Sequence, residues 1–405
     1  MTRAPADGMT RRGGEKVERG EARFLDFQAD GVEADLAHLE AAPRIALDTE
    51  SDPFHRYYEK ICLLQISTEE RDFFFDPLEH GMPDRLRALL TDPDKLMLLH
   101  GADYDVRALK QSFDLPLVRL LDTGLAAQFL GRTNTGLKAL LEEELSIVID
   151  KGEQRSDWGR RPLTDKQLRY ARQDTMHLLP LADRLLGHLD ALGRRHWLEE
   201  ECAALLEKEP VDKIFDPDGW RKIKGSKSLQ KRGRQALAAL YRWREGEAQE
   251  ADKPPFRILR SEAMVRLATQ IDRQGMLSQK RLKATKTVPN WIDRARVLEA
   301  IAEGLEGPVP DARGPRKRGK PGIPHTPRSK AALDALKKGR VEWAAALGMD
   351  PGFLVSSAVL EAIAKRAPED EGTLAAVPGM NRWRMEAIGP QILAAVDVKV
   401  GDEGC

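Results

Sequence analysis

The sequence predicts an α/β domain built on a mixed sheet and followed by two all-helical modules. Three observations carry that reading. Short apolar runs rich in β-branched and aromatic residues occupy residues 44–48, 61–68 and 71–76. From about residue 84, strand-like and helix-like segments alternate. Beyond about residue 207 only helical periodicity remains. Strands first, then strands alternating with helices, imply stacked layers of sheet and helix.

The elements follow in order. RIALD (44–48) breaks at an acidic pair, and ICLLQIST (61–68) and RDFFFD (71–76) follow it, so the three runs read as an antiparallel meander. Leu86, Leu89 and Leu90 form one stripe of a helix at 84–91. KLMLLHG (95–101) reads as a buried strand, and DYDVRALKQSF starts the next helix. Residues 136–145 and 164–188 are strongly helical, the latter opened by a capping box of Thr164 and Gln167. The first 20 residues are polar, lack the apolar core of a secretory signal and read as a disordered tail.

The back half divides further. Residues 219–305 and 329–397 are all-helical, separated by the basic, Pro/Gly-rich GPVPDARGPRKRGKPGIPHTP. Pro255, Ile258, Leu259, Leu267 and Ala268 match Pro351, Leu354, Val355, Ile363 and Ala364 at one constant offset, with Trp243 and Trp343 shortly before. That pattern marks a diverged repeat of two small modules. The expected organisation is a tail (1–20), an α/β domain (21–206), a first module (215–305), a linker (306–328) and a second module (329–397), the modules folding on their own. Trp220, Trp243 and Trp291 read as core aromatics of these bundles.

Composition excludes some classes. The 405 residues are 41% apolar and 32% charged, as in an ordinary soluble protein. No apolar run approaches the roughly 18 residues of a membrane span. Cys62, Cys202 and Cys405 are far apart and fit no metal spacing, which suits a reduced, cytoplasmic chain. The net charge is zero, yet residues 1–205 carry about −10 and residues 206–405 about +10. Such a split suits carboxylates that hold metal ions in front and basic residues that hold phosphates behind, although solvated surface charge accounts for it equally well.

Acidic residues recur at telling positions. Asp48 and Glu50 lie two apart at a strand end, so both side chains leave one face of the sheet. Carboxylates aimed together repel unless a cation separates them. Asp105 follows a buried strand where a helix begins, a usual place for catalytic groups, and helix capping by Asp103 or Asp105 is the competing reading. Tyr170 and Asp174 are four apart on a helix and share a face.

Taken together, Asp48-Thr49-Glu50, Tyr104-Asp105 and Tyr170-x₃-Asp174 resemble the three motifs of the DEDD exonuclease superfamily in its tyrosine-bearing branch. The resemblance implies a ribonuclease H-like fold. It tightens to the ribonuclease D family through DTESDPFHRYYEKICLLQI, HGADYD, DTGLAAQFLG, GLKALL, DKGEQRSDWGRRPL and QLRYARQDTMHLLPL, over about residues 40–190. The helical repeats resemble HRDC modules.

That resemblance implies a 3′→5′ exoribonuclease that releases 5′-mononucleotides and trims tRNA precursors. It would be a monomer with no membrane partner. Two divalent ions, Mg²⁺ or Mn²⁺, would be held by Asp48, Glu50, Asp105 and Asp174, with Asp48 bridging and Tyr170 orienting the attacking water. An all-oxygen set suits hard cations. Thr49, His55, Gln65, His100, Tyr104, Lys151, Arg155 and Trp158 are the expected substrate contacts. Arg161 can join Lys151 and Arg155 along the RNA backbone, and Trp158 either stacks a base or packs in the core. The basic stretches 221–234 and 313–320 can hold phosphates. The rival readings are a DNA exonuclease, which shares the same metal chemistry, and an inactive nucleic-acid-binding adaptor, which the intact ligand set disfavours. A helicase fragment is disfavoured by the lack of a phosphate-binding G-x-x-x-x-G-K-[ST] loop.

Overall fold

The computed structural model describes residues 9–12, 15–150, 152–210, 214–284, 287–311 and 326–397. Lys151, Cys405 and most of the expected linker lie outside the described residues. The chain forms two units, one from residues 1–50, 61–210 and 320–405, the other from residues 51–60 and 211–319.

The larger unit is built on a six-stranded mixed sheet. A small hairpin of β1 (Met9–Arg12) and β2 (Glu15–Glu18) precedes it. Strands β3 (Arg23–Phe24), β4 (Arg44–Ser51), β5 (Ile61–Ser67), β6 (Asp72–Phe75), β7 (Leu96–Leu99) and β8 (Leu120–Asp122) lie in the order β3-β6-β5-β4-β7-β8. β5 and β6 are antiparallel, whereas β4, β7 and β8 run parallel, as does β3 with β6. The three runs expected as a meander at 44–76 are neighbouring strands, β5 lying between β4 and β6 and pairing antiparallel with β6. β3 and β8 are too short to show a period-two pattern in sequence. Every residue of β5 and β6 is buried, because helices cover both faces.

Those helices are α1 (Val32–Ala41), α2 (Pro77–His80), α3 (Asp84–Leu90), α4 (Asp103–Phe113), α5 (Thr123–Phe129), α6 (Leu137–Leu145), α7 (Asp165–Thr175), α8 (Leu178–Ala191) and α9 (Arg195–Leu206). The capping box of Thr164 and Gln167 forms. The single helix expected over 164–188 instead breaks at Met176 and His177. Pro180 explains the break: its ring would clash with the Met176 carbonyl in a continuous helix, and its missing N–H is harmless only in a first turn.

Two other expectations change. Within the segment expected to be a disordered tail, Met9–Arg12 pairs with Glu15–Glu18. Arg19 behind them is buried, donating to Asp72 Oδ1 at 2.5 Å and to the Thr68 carbonyl at 2.8 Å. A partner some fifty positions away leaves no local signature.

The second helical module belongs to the larger unit rather than standing alone. It comprises α10 (Pro327–Leu347), α11 (Pro351–Leu354), α12 (Ser357–Arg366), α13 (Glu371–Ala375) and α14 (Arg382–Val396). Phe129 of α5 and Trp197 of α9 meet Trp383 of α14, with ring centroids at 5.0 and 5.6 Å. Glu201 of α9 accepts from Trp383 Nε1 at 2.6 Å, Asn381 Nδ2 at 2.6 Å and Arg384 Nη1 at 2.8 Å. Glycine is required where Gly131 meets Gly348, since a Cβ on Gly131 would come 1.6 Å from the Gly348 carbonyl oxygen.

The first module forms the smaller unit with residues 51–60. Its helices are α15 (Lys231–Glu250), α16 (Pro255–Ile258), α17 (Ser261–Gln274), α18 (Gln279–Ala284) and α19 (Arg294–Glu306). Tyr57 is buried in its core and donates to Glu245 Oε1 at 2.5 Å. The repeat is visible in three dimensions. Arg244 Nη1 donates to the Leu259 carbonyl and Ser261 Oγ, and Arg340 Nη1 does the same to Val355 and Ser357. On that register Trp243 corresponds to Gly339, not to Trp343. A Cβ on Gly339 would lie 2.4 Å from the Trp343 ring, so the second module fills this position from the next turn. Trp220 is buried and Trp243 packs against the core as expected, but Trp291 is 52% exposed, which corrects its reading as a core residue.

Candidate metal centre

The site begins with one interior strand. Ile45, Ala46 and Leu47 of β4 are fully buried, and the strand then delivers Asp48 and Glu50 to one face. Burying two acids side by side is costly unless something else compensates. α7 approaches with Tyr170 and Asp174 one turn apart. One carboxylate oxygen each from Asp48, Glu50 and Asp174 lies within 4.8 Å of the others.

Asp105 sits beside this trio in the first turn of α4. Its Oδ1 accepts from Thr49 Oγ1 at 2.6 Å, and it is close enough to raise the proton affinity of both Asp48 and Glu50. Asp103 is the outward-facing residue, paired with Arg107 and Lys208, while the N-cap is Ala102 with no side-chain bond. Neither aspartate therefore caps the helix.

Electrostatics describe a site short of positive charge. Burial, Asp105, Asp174 and Glu50 hold Asp48 well above the ordinary carboxylate range. Burial, Asp174 and Asp105 push Glu50 up to about 9. Burial pushes Asp105 up to about 6, partly offset by the Thr49 hydrogen bond. Burial and the three carboxylates Asp174, Glu50 and Asp48 raise the Tyr170 phenol further, so it stays protonated and hydrogen-bonded to Asp174. Like charges gathered without a counterion take up protons or a cation.

The expected substrate contacts separate in the structure. The Thr49 hydroxyl is spent on Asp105. Gln65 is fully buried within β5 and Trp158 is fully buried with its ring 6.1 Å from that of Tyr170, so neither presents a surface to a substrate. Along an all-buried strand, sequence gives no sign of which polar residue is exposed, and the loop carrying Trp158 folds inward onto Leu168 and Ala171. Arg161 is used within the protein, donating to Asp76 and to the carbonyls of Trp158 and Cys62 at 2.7 Å each. His100 is half-buried, 2.9 Å from Thr123 Oγ1. Tyr104 and Arg155 are exposed. His55 belongs to the smaller unit, its Nδ1 3.2 Å from Arg257.

Sequence reasoning passed over the supports. Asp122 accepts from the amides of Gly101 and Ala102 at 2.9 and 2.8 Å and from Gly124 at 2.7 Å, tying the turn before α4 to the start of α5. Its place before a helix is a capping signal in the sequence. Arg172 donates to Asp72 at 2.9 Å, and Thr175 lies 2.7 Å from Ser67 Oγ, so α7 is anchored to β6 and β5 on both sides of Asp174. These pairs span about a hundred residues and carry no local signal.

Comparison with known proteins places the chain among nucleases. Residues 27–190 match the 3′-5′ exonuclease family, and residues 234–274 and 329–396 match the HRDC domain family. Ribonuclease D of Pseudomonas paraeruginosa is 30% identical over 359 residues, spanning 88% of this chain and 92% of its own length. Among solved structures, the catalytic core of RRP6 from Trypanosoma brucei matches with a TM-score of 0.64 at 27% identity, over 71% of this chain and 81% of that one. Escherichia coli RNase D, an exoribonuclease involved in structured RNA processing, matches with a TM-score of 0.59 over 92% of this chain and 98% of its own. At 24% identity that likeness speaks to the fold.

Proposed function

The chain belongs to the ribonuclease D family and is a 3′→5′ exoribonuclease, and on that premise we propose that it works by two-metal hydrolysis at Asp48, Glu50, Asp105 and Asp174. The observation that carries the metal reading is the trio of carboxylate oxygens within 4.8 Å, in surroundings that raise their proton affinity. The donor set fits a hard divalent cation, Mg²⁺ or Mn²⁺, since every ligand is oxygen and no cysteine or histidine joins the trio. When bound, two such ions supply charge neutralisation at the scissile phosphate and an acidified water.

The residues of the chain do the rest. Asp48 and Glu50 reach the site from β4 and Asp174 from α7, so sheet and helix together set the cation position. Thr49 holds the Asp105 carboxylate. Tyr170 remains a neutral phenol at physiological pH, which makes it a hydrogen-bonding group that orients the water rather than a base. Water attacks the terminal phosphodiester, the 3′-oxygen of the penultimate nucleotide leaves, and a 5′-mononucleotide is released.

The relative from Escherichia coli processes structured RNA, which supports tRNA precursors and other structured RNAs as substrates here, met by a cytoplasmic monomer. Among the described residues no helix is long and apolar enough to cross a membrane. The test is digestion of 5′-labelled RNA, DNA and a tRNA precursor with a 3′ trailer, in Mg²⁺, Mn²⁺ or EDTA. Stepwise 3′ shortening of RNA that stops in EDTA is expected. Metal-independent shortening would remove the metal reading, and an untouched trailer would remove the tRNA reading.

A further inference from the structure

The first helical module carries a site that the cleavage chemistry does not use. Trp291 precedes α19 with 52% of its surface in solvent, an unusual place for the largest apolar side chain. The Lys253 ammonium lies 4.3 Å from the centroid of its ring. Trp291 lines a cavity of about 590 Å³ together with Lys280, Lys283, Asn290 and Arg294, a size within the range of ligand pockets.

The charge of this groove is one-sided. Lys280 and Lys283 are exposed on α18 and have no ion-pair partner among the described residues. Arg294 donates from Nη2 to Asn290 Oδ1 at 2.9 Å, while its Nε, shielded from solvent, has no acceptor among the described residues. The one acid in the lining, Asp293, is already engaged, accepting from the Ala295 amide at 2.8 Å as the cap of α19. By contrast a cavity of about 1030 Å³ beside β3 has more acids than bases in its lining, among them Glu21, Asp26, Asp30 and Asp35, and suits a polyanion less well.

An exposed indole amid unpaired cations is the arrangement that holds single strands: the ring stacks a base, and the cations take the phosphates on either side. We propose that the Trp291 groove binds single-stranded RNA, stacking one base on the indole while Lys280, Lys283 and Arg294 hold flanking phosphates. The proposal rests on the chain acting on RNA. It places a grip on the substrate strand outside the catalytic carboxylates, one indifferent to sequence because every base has a face to stack.

The test uses the full chain and a labelled 20-nucleotide single-stranded RNA in Ca²⁺, titrated across a salt series, with turnover of an RNA dinucleotide in Mg²⁺ measured in parallel. Trp291→Ala is expected to weaken 20-mer binding roughly 5- to 150-fold, and Trp291→Phe to keep most of the affinity. Lys280→Ala with Lys283→Ala is expected to flatten the slope of log K against log salt by about 0.7 for each phosphate the variant no longer neutralises. Dinucleotide turnover should be unchanged in all three variants, since none touches the carboxylate site. Equal 20-mer affinity in Trp291→Ala and the parent, or an equal loss in Trp291→Ala and Trp291→Phe, overturns the site. Failure of the exoribonuclease reading is distinguishable, because the parent would then cleave neither RNA.

Discussion

Thr49 Oγ1 lies 2.6 Å from Asp105 Oδ1, so the residue between the two acids of β4 fixes the acid delivered by α4. Strand alternation turns Thr49 away from Asp48 and Glu50, and its hydroxyl reaches Asp105 in the first turn of α4. Thr49→Val keeps the shape and removes the donor. Partners of metal-ligating groups are typically worth 10- to 100-fold in activity or metal affinity. We expect a loss in that range, restored by Thr49→Ser, with an unchanged melting temperature in EDTA. Full turnover in Thr49→Val would show that Asp105 needs no such support.

The carboxylates should titrate against stability. Glu50 is pushed up to about 9 from an ordinary value of 4.5. A folded-state pKa above the unfolded one contributes stability below the unfolded value that is lost as pH rises through the folded one. Without metal, the melting temperature should therefore fall between about pH 4.5 and pH 9. Glu50→Gln should flatten that fall and abolish cleavage. A divalent cation should reverse it, binding more tightly as pH rises because protons compete for the same oxygens. A pH-independent melting temperature in EDTA would contradict the crowding of acids.

Tyr170→Phe should lower turnover far more than metal affinity. Its hydroxyl bonds to Asp174 and its ring keeps its packing near Trp158. Positioned proton-transfer or orienting groups contribute roughly 10²- to 10⁴-fold. Measuring kcat across a Mg²⁺ titration separates the two effects. Unchanged kcat at saturating metal would reduce Tyr170 to a packing residue.

The second helical module should be needed for the nuclease to stay folded. Trp383 is fully buried against Phe129 and Trp197. Trp383→Ala should cost about 3–5 kcal/mol, as for large aromatic truncations in cores. It also strips a donor from Glu201, a half-buried carboxylate. A chain ending near Glu207 would expose that aromatic face and should aggregate. A soluble, active nuclease of that length, or an unaltered melting temperature in Trp383→Ala, would contradict this coupling.

Much of the catalytic centre is legible in the sequence, for a local reason. Asp48 with Glu50 and Tyr170 with Asp174 are placed by the periods of a strand and a helix, two and 3.6 residues, which sequence spacing states directly. The repeat of the helical modules is legible for the same reason, and Pro180 marks the helix break in plain view. The substrate contacts are not, because exposure depends on what packs opposite. Gln65 and Trp158 sit in family motifs as the acids do, yet both are covered, while Trp291, read as a core residue of a helical bundle, is exposed.

By itself, then, the sequence determined the strands and helices that carry the four acids and Tyr170, and the order in which they come. Only the tertiary structure decided that Thr49 serves Asp105, that Arg172 and Asp72 brace α7, and that the second module shares a core with the nuclease. Local periodicity is written in neighbouring residues, whereas burial and partnership are set by groups a hundred positions away that meet only when the chain has folded.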